Sequence, residues 1–592
     1  MTINDKKSSI LPGEQSDRAL RSGASSADLT SPPKDLGRQR RRWSGYLTSL
    51  LPALLGSALY LLNNLDVIHG LIAPPPGYAA LGVQRNPDIA QYLTWLNGLK
   101  KAWILPNYHA PWVTPPGLIV PGLFPVSIVE RSLSISPILA LQLFGLIGYI
   151  STAYAVAFAY RTFCRTRRQA FWSLLIAFSC VPVASLPGLS YLLRNHSQYG
   201  EALGRVQFMT VSDGVLRGLV TWPFEVYGTC AQVLSMAFLA RYCASRELRW
   251  LWSLALVCLL SALIHPFEIF VTVTVVAFVL MQQPWHIRNV LVGMCAVLTA
   301  AVVGVSPYVI QSLRIPWVGE IAEANRHLVD IAPAPLFAMM GFPAILVVIL
   351  FLLGFPRKRD HNSIVLVTWF AVTLLVFYFP RMPFAIHFLD GLFFAVGLLL
   401  TLQLAEVVAR LPDRWASSLR IVAIPVLILT LYPHVAYRLQ AWKAGVDLQS
   451  TKFRYPMAIA PVDEFAIVKW LNKNASPDDL VLATEDAAPW VATAPIHSFA
   501  SHWVLSLLVT RPTDSALRDA FFNGSLTPAK ARELLDTLGV RYVVVPDRSL
   551  ATLYLIDATL RARFDNSGIY ELPGQRMKPY GESKIAALGT SH

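Results

Sequence analysis

Residues 86–116, NPDIAQYLTWLNGLKKAWILPNYHAPWVTPP, form a polar stretch that contains a single carboxylate, a histidine and several aromatic side chains. Asn86, Pro87 and Asp88 favour a helix start, with Asn as the cap, Pro at the first position and an acid in the first turn. An acid at this position could serve only the helix dipole, or it could act as a general base. Asp88 is therefore the first candidate for chemistry.

Two nearby polar residues are rival candidates. Asp66 follows Asn63 and Asn64, which indicate a helix end at a membrane interface, and it is the alternative base. His109 lies in the Pro-flanked segment PNYHAPW. It would either line an acceptor pocket or be an ordinary histidine of a surface loop.

The residues that follow Asp88 have the spacing of an apolar helix face. Tyr92, Trp95, Leu96 and Leu99 recur at intervals of three and four. This stripe predicts a helix that lies on the membrane surface.

Two further segments bring ionisable residues together between apolar runs. In LIHPFEIF, His265 and Glu268 could hold a phosphate or a metal, or satisfy the open backbone of a tight turn. His-x-x-Glu alone is a weak metal signal, so no metal site is predicted and no cofactor is certain, although a divalent metal stays open. The segment FYFPRMPFAIHFLDG places Arg381, His387 and Asp390 at the outer ends of two apolar runs. Ionisable side chains inside a membrane cost free energy, so their presence there is typical of functional groups. A snorkelling arginine is the alternative.

The composition indicates a polytopic membrane protein. Of 592 residues, 54% are hydrophobic and only 15% are charged, against about 25% in soluble domains. The net charge of +14 lies in short Lys and Arg clusters beside apolar runs. This placement excludes nucleic acid as a partner and indicates membrane orientation. The six cysteines lie in or beside apolar runs without CxxC spacing, so neither a disulfide nor a zinc site is expected.

Apolar runs near the ~20 residues that cross a bilayer predict about 11 transmembrane helices. Their approximate ranges are 44–63, 135–160, 169–190, 223–241, 250–264, 267–282, 289–308, 336–355, 363–379, 390–409 and 419–435.

Every second connection is short and basic, which assigns it to the cytoplasm. Residues 1–42 are then a disordered basic cytoplasmic tail, and 43–435 form the transmembrane module with a large first outer loop at 64–134. Residues 436–592 form a periplasmic or extracellular domain. The predicted location is the inner membrane of the cell.

The C-terminal part has the pattern of a small α/β domain. FAIVKWLNKN and PAKARELLDTLG predict helices, the second ending at Gly539, and DLVLATE and VRYVVVPD predict strands. The segment contains no phosphate loop and no nucleophile elbow, so a lid or a docking platform is its expected role.

The 86–116 stretch resembles the first outer loop of GT-C fold glycosyltransferases. The motif is D-x-x-x-Y, a Trp, a Leu-Pro and a Pro pair, and it is most similar to the aminoarabinose and protein O-mannosyl transferase branch. The matching residues here are Asp88, Tyr92, Trp103, Pro106, Pro115 and Pro116. The sequence departs from the pattern at Ile89, where a second acid is common, and at Thr114, where a Lys is usual. The C-terminal SHWVLSLL, FFNG and LLDTLGVRYVVV are also similar to outer domains of bacterial relatives.

The resemblance implies an inverting enzyme that moves a hexosyl or pentosyl unit from a polyprenyl phosphate to a glycan, lipid or protein acceptor at the outer face of the bilayer. Asp88 would be the base. The leaving phosphate needs cationic partners, for which Arg is best suited. The outer arginines are Arg194, Arg205, Arg217, Arg314, Arg326 and Arg381. Arg381 and Arg217 are preferred, and the remaining substrate-binding candidates are Tyr92, Trp103, His109, His265, Glu268 and His387.

Two other classes of function remain as alternatives. A transporter or lipid flippase would favour two related halves with charges at mid-membrane. The sequence has no convincing internal repeat, and its polar groups lie at the ends of the apolar runs. A non-catalytic assembly factor for envelope polysaccharide would use the outer domain to bind partners.

Overall fold

The computed structural model describes most of the chain after the N-terminal tail. The described residues are 50–83, 87–110, 112–180, 223–283, 287–326, 336–337, 340–357, 360–379, 385–412, 458–502, 505–506, 511–547, 549–572, 574–575 and 577, together with the single residues 414, 418 and 425.

Helices occupy ten of the predicted spans within these residues, and 250–264 and 267–282 are two separate helices. They are α1 Leu50–Asn63, α5 Pro137–Phe163, α6 Arg167–Phe178, α7 Pro223–Ser245, α8 Leu248–Ile264, α9 Glu268–Met281, α10 Ile287–Arg314, α12 Phe342–Leu352, α13 His361–Tyr378 and α14 Leu392–Val408. Between them lie α2 Leu65–Ile72, α3 Pro87–Leu99, α4 Phe124–Leu133 and α11 Pro316–Arg326. The predicted run 419–435 falls outside the described residues apart from position 425.

Among the described residues, four helical segments are long and apolar enough to cross a membrane by themselves: Pro137–Phe163, Ile287–Arg314, His361–Tyr378 and His387–Val408. The bent pair α1 and α2, with 64° between the two helices, passes the same test when taken as one element. Helices α8, α9 and α12 are apolar but shorter. The chain is therefore a mostly helical protein with membrane-compatible helices, and the count of eleven spans stays a prediction.

Local sequence signals explain where several helices begin. Ser136 caps α5 by accepting the Leu139 N–H, and Thr166 forms a capping box with Gln169 at the start of α6. Asp360 accepts the Ser363 N–H at the start of α13. These caps satisfy amide groups that have no partner inside the helix.

The helices pack through small residues. A Cβ atom added at Gly304 of α10 would lie 2.5 Å from the Cβ of Ala262 and 2.9 Å from the carbonyl oxygen of Leu259 on α8. Such contacts let backbones approach closely where hydrocarbon offers no hydrophobic drive between helices.

The C-terminal region contains a five-stranded mixed sheet of order β4-β3-β5-β7-β6. The strands are β3 Leu480–Leu482, β4 His497–Ser498, β5 Val540–Pro546, β6 Thr559–Arg563 and β7 Ser567–Glu571. Strands β4, β3 and β5 run parallel, and β7 is antiparallel to both β5 and β6.

Helices cover both faces of this sheet, as the alternation along the strands requires. Val543 and Val545 belong to the core under α18 (Pro528–Leu538), whereas Tyr542 and Val544 belong to the core under α15 (Val462–Asn474). Gly539 ends α18 in the left-handed conformation, as the sequence predicts. Short helices α16 Ala488–Val491 and α17 Pro512–Phe522 complete the region.

The first loop packs on this C-terminal region. Strand β1 (Tyr78–Ala80) pairs antiparallel with β2 (Ile459–Pro461). Leu96 and Leu99 of α3 are buried in a cluster that includes Ala460 and Trp490. The expectation that the apolar stripe of α3 lies on the membrane surface is therefore wrong for these two leucines, because protein covers them.

Hydrogen bonds fix residues 107–110 against residues 497–502 and 505–506. The Ser498 N–H donates to the Tyr108 carbonyl at 3.0 Å, and Ser506 Oγ donates to the His109 carbonyl at 2.7 Å. His497 is fully buried, and its Nδ1 donates to the Ala110 carbonyl at 3.1 Å. Burial lowers the pKa of His497 to about 4, against partial opposition from the Ala110 carbonyl and the Asp478 charge.

We expect Gly304→Val to destabilise the helix bundle, because the added side chain meets Ala262 and the α8 backbone. The free energy of unfolding should fall by about 1–3 kcal/mol, seen as a lower thermal unfolding midpoint in detergent. Val303→Leu is the matched control, since Val303 is 56% exposed on the same helix. Equal midpoints for the two variants would contradict the close packing.

We expect His497 to make the fold acid-sensitive. Its pKa is lower in the folded state than in the unfolded chain, so its contribution to stability is present above about pH 6.5 and is lost as pH falls toward 4. At pH 5 the loss is about 2 kcal/mol. His497→Asn keeps a donor for Ala110 and should flatten the change in unfolding midpoint between pH 7 and pH 5. An unchanged pH dependence would overturn this assignment.

Candidate active site

Asp88 lies in the first turn of α3, directly after Pro87, as the sequence predicts. Its side chain is 24% exposed, so the carboxylate faces both protein and solvent. The Asp88 Oδ1 lies 2.8 Å from Nε2 of His502, in the C-terminal region 414 residues away. This contact holds the candidate base at the boundary between the first loop and the C-terminal region.

The hydrogen bonds of His502 define its tautomer. The backbone N–H of Leu505 donates to His502 Nδ1 at 3.1 Å, so Nδ1 carries a lone pair. Nε2 then carries the proton and donates it to Asp88. The imidazole N–H therefore orients the carboxylate, which can still accept a proton from a substrate.

His109 lies beside this pair and is fully buried, so it is not a histidine of the loop surface. Ser501 Oγ donates to the Ser498 carbonyl, and it therefore accepts from His109 Nδ1 at 2.8 Å. The ring centroids of His109 and His502 are 5.3 Å apart. Burial lowers the pKa of His109, and the neighbouring His502 and His497 lower it further. Within the described part of the chain, His109 Nε2 has no hydrogen-bond partner.

Tyr92 joins the Asp88 pair to the helix bundle. Its ring contacts Phe224 of α7 edge-on, with 4.8 Å between centroids. Burial raises the pKa of Tyr92, and the charges of Asp88 and Glu225 raise it further. Both carboxylates therefore lie close enough to act on the phenol, which stays a neutral hydroxyl donor.

A second group of ionisable residues lies where helix α8 ends and helices α7, α9 and α14 begin. We call Glu225, His265, Glu268, His387 and Asp390 the turn cluster. Glu268 Oε1 is 2.6 Å from His265 Nδ1, and His387 Nδ1 is 3.3 Å from Glu225 Oε1 and 3.7 Å from Asp390 Oδ2. The turn cluster brings together residues that the sequence presents as three separate segments.

The first loop also reaches the turn cluster. A Cβ atom added at Gly122 would lie 2.8 Å from the Ile264 carbonyl oxygen and 3.0 Å from the Phe224 ring. Only a glycine allows this approach without displacing a neighbour. The loop that carries Asp88 is thus packed against the turn that carries His265.

Two predicted site residues have a different setting. Asp66 is 4% exposed on α2, far less than Asp88, and a base must reach its substrate. Trp103 is 47% exposed and packs on the Phe124 ring and the Arg131 guanidinium.

Most of the arginines that were predicted to bind phosphate lie outside the described residues. Arg194, Arg205, Arg217 and Arg381 fall outside the described residues, as does the side chain of Arg326. Arg314 is exposed at the end of α10.

The sequence reasoning missed His502 and Glu225. His502 stands in the segment SHWVLSLL, whose local pattern indicates only an apolar turn, and its partner is 414 residues away. Glu225 stands in the first turn of α7, where an acid also favours the helix dipole. Neither has a short-range signal that distinguishes it from a structural residue.

This arrangement can accept a proton at Asp88 and can hold a charged or hydroxylated ligand beside it. His265, Glu268 and Asp390 also offer one nitrogen and carboxylate oxygens within 4.8 Å of one another. They are the group of described residues whose donor atoms converge as metal ligands do.

Sequence comparison does not extend these observations, because no protein-family model and no curated protein matches the chain.

Structural comparison does find similar proteins. A mycobacterial arabinofuranosyltransferase, AftD, is 14% identical with a TM-score of 0.52 over 90% of this chain and 40% of its own. This chain thus spans less than half of that protein. The Archaeoglobus fulgidus oligosaccharyltransferase has 11% identity and a TM-score of 0.49 over 84% of this chain and 69% of its own. ArnT from Cupriavidus metallidurans has 12% identity and a TM-score of 0.47, covering 89% and 98%.

The TM-scores of the last two proteins are below 0.5, so the conclusion about the fold rests on the similarity to the arabinofuranosyltransferase. At this level of identity it concerns the fold alone. The structural neighbours of this chain are GT-C fold glycosyltransferases, and the chain has their fold.

Proposed function

We propose that this protein is an integral membrane glycosyltransferase that transfers a sugar from a polyprenyl phosphate to an envelope acceptor. The observation that carries the proposal is the half-buried Asp88 carboxylate, which the His502 N–H orients beside Tyr92 and the turn cluster. A fixed carboxylate with one face open to solvent suits a general base.

In the proposed reaction, Asp88 takes the proton from the acceptor hydroxyl or amine. The acceptor atom forms a bond to the anomeric carbon while the bond from that carbon to the phosphate oxygen breaks. The electron pair of the broken bond leaves with the phosphate, and the configuration at the sugar is inverted. Asp88 accepts only a proton, so no covalent sugar–enzyme intermediate is required.

The leaving phosphate gains negative charge and needs cationic or hydrogen-bonding partners. Arg381 and Arg217, which lie outside the described residues, remain the proposed phosphate ligands, and His387 and His265 of the turn cluster are further candidates for contact with the phosphate. Tyr92 would donate a hydrogen bond, since its raised pKa keeps the hydroxyl protonated. His109 would line the acceptor side, beside His502.

We also propose the topology of eleven spans, with the N-terminus in the cytoplasm and the first loop and C-terminal region outside. The turn cluster supports this arrangement. Its residues come from the start of α7, the α8–α9 turn and the turn before α14, which the charge pattern assigns to one side. The first loop packs on that same side through Gly122.

We expect Asp88→Asn to lower the rate of sugar transfer by about 10²–10⁴-fold, because the amide cannot accept the proton of the acceptor. The measurement is transfer of radiolabelled sugar from polyprenyl phosphate in membranes, at equal amounts of folded protein. Asp66→Asn tests the rival base, and Asp360→Asn is a matched control, since Asn retains the cap of α13.

Three outcomes separate the alternatives. Normal sugar transfer by Asp66→Asn, together with loss of transfer in Asp88→Asn, supports Asp88 as the base. Normal transfer by a stably folded Asp88→Asn protein would overturn the assignment. Lipid transport that continues without any sugar transfer would favour a flippase instead.

We expect His502→Ala to lower kcat about tenfold or more with little change in KM, because one hydrogen bond to a charged group is lost. His502→Gln should recover most of the rate, since its amide N–H can still donate to Asp88. His502 also accepts the Leu505 N–H, so the unfolding midpoint of each variant is measured alongside. Equal rates for the Ala and Gln variants would show that His502 does not act by positioning Asp88.

A further inference from the structure

Three residues of the turn cluster, His265, Glu268 and Asp390, take no part in the proposed proton transfer. His265 and Glu268 lie at the junction of α8 and α9, and Asp390 lies just before α14. Their donor atoms lie within 4.8 Å of one another. Donor atoms that bind one transition-metal ion at ~2.1 Å lie at most about 4.2 Å apart. A small inward movement of the side chains is enough to close the site.

Burial makes the charges of this group costly. Glu268 is 0% exposed and His265 is 7% exposed, while the Asp390 side chain is 12% exposed. Two carboxylates that share such a volume repel each other and lose their hydration. Either a proton or a cation between them is needed to offset this energy.

The orientation of the carboxyl oxygens favours a shared ligand. Glu268 Oε1 contacts His265, whereas Glu268 Oε2 and Asp390 Oδ2 are buried without a hydrogen bond of ordinary geometry among the described residues, and the two carboxyl groups interact directly with each other. Buried polar atoms in native proteins are normally satisfied, so each exception requires an explanation. A metal ion would satisfy both atoms.

Gly228 of α7 makes room for the Glu268 carboxylate. A Cβ atom at this position would lie 2.1 Å from Oε1 and 2.8 Å from Oε2. The Glu268 carboxylate therefore packs directly against the α7 backbone at Gly228, and any larger residue at position 228 would displace it.

We propose that His265, Glu268 and Asp390 bind one divalent transition-metal ion, Mn²⁺ or Zn²⁺. An imidazole nitrogen combined with carboxylate oxygens suits these ions, whereas Ca²⁺ and Mg²⁺ favour sites made of oxygen alone. Binding requires a free lone pair on the His265 nitrogen and ionised carboxylates at Glu268 and Asp390.

The bound ion joins two turns that are distant in sequence. It ties the α8–α9 junction to the turn before α14, next to the place where Gly122 of the first loop contacts Ile264. Binding therefore stabilises the folded state, by an amount that grows with the logarithm of the metal concentration above the dissociation constant. This inference does not depend on the proposed glycosyltransferase activity.

The test uses the full-length protein in detergent, stripped with EDTA. MnCl₂ is titrated in while the electron paramagnetic resonance signal of free Mn²⁺ is recorded, and bound Zn²⁺ is measured by competition. The expected result is one equivalent of Mn²⁺ per chain and a higher thermal unfolding midpoint with metal. Glu268→Gln, Asp390→Asn and His265→Asn should each weaken binding at least tenfold.

Asp360→Asn is the control for a lost carboxylate, and it should bind metal as the wild type does. Asp390→Asn is the variant with least risk to folding, because Asp390 is less buried than Glu268. Absence of stoichiometric binding by the folded wild type, or equal binding by wild type and Asp390→Asn, would overturn the proposal. A Glu268→Gln protein that is more stable than the metal-free wild type, with no Mn²⁺ bound by either, would show that a shared proton holds the pair instead.

Discussion

The packing of residues 107–110 and 112 against residues 497–502 and 505–506 is the constraint on which the candidate site depends. Backbone and side-chain hydrogen bonds at Tyr108, His109 and Ala110 tie the two segments together. Ala110 and Trp112 then enter the core beneath the sheet. A buried loop must satisfy its backbone polar groups, and here the C-terminal region supplies the partners. The first loop and the C-terminal region therefore fold as one body, and the base lies at their junction.

This docking also determines the chemical state of the site. Burial disfavours charged imidazoles, so His109 and His497 are held neutral. The Leu505 N–H fixes the tautomer of His502 and aims its proton at Asp88. Asp88 keeps an open face, whereas the rival Asp66 is enclosed on α2. The difference between a candidate base and a buried acid thus follows from which loop face the C-terminal region covers.

The helix bundle contributes the second half of the site through the close packing of its helix ends. Glycines allow this packing, because they have no side chain. Gly122 packs against the end of α8, and Gly228 packs against the Glu268 carboxylate. The same geometry that brings Glu268 and Asp390 together leaves buried carboxyl oxygens in need of a ligand. Close packing and unsatisfied charge therefore coincide at the place where the first loop meets the bundle.

The sequence alone determined the features that depend on local chemistry. Apolar run length predicted helices at ten described positions, and Pro87 with Asp88 predicted the start of α3. Gly539 predicted the end of α18, since few other residues adopt the left-handed conformation there. The resemblance of the 86–116 motif anticipated the GT-C fold that the structural neighbours share. The apolar stripe of α3 was correctly predicted, but a stripe does not specify whether lipid or protein covers it, and protein covers Leu96 and Leu99.

Only the tertiary structure decided which polar residues meet. The pairing of Asp88 with His502 joins positions 414 residues apart, and the turn cluster joins Glu268 to Asp390. No local pattern encodes such contacts, because they result from the packing of whole elements rather than from the preferences of neighbouring residues.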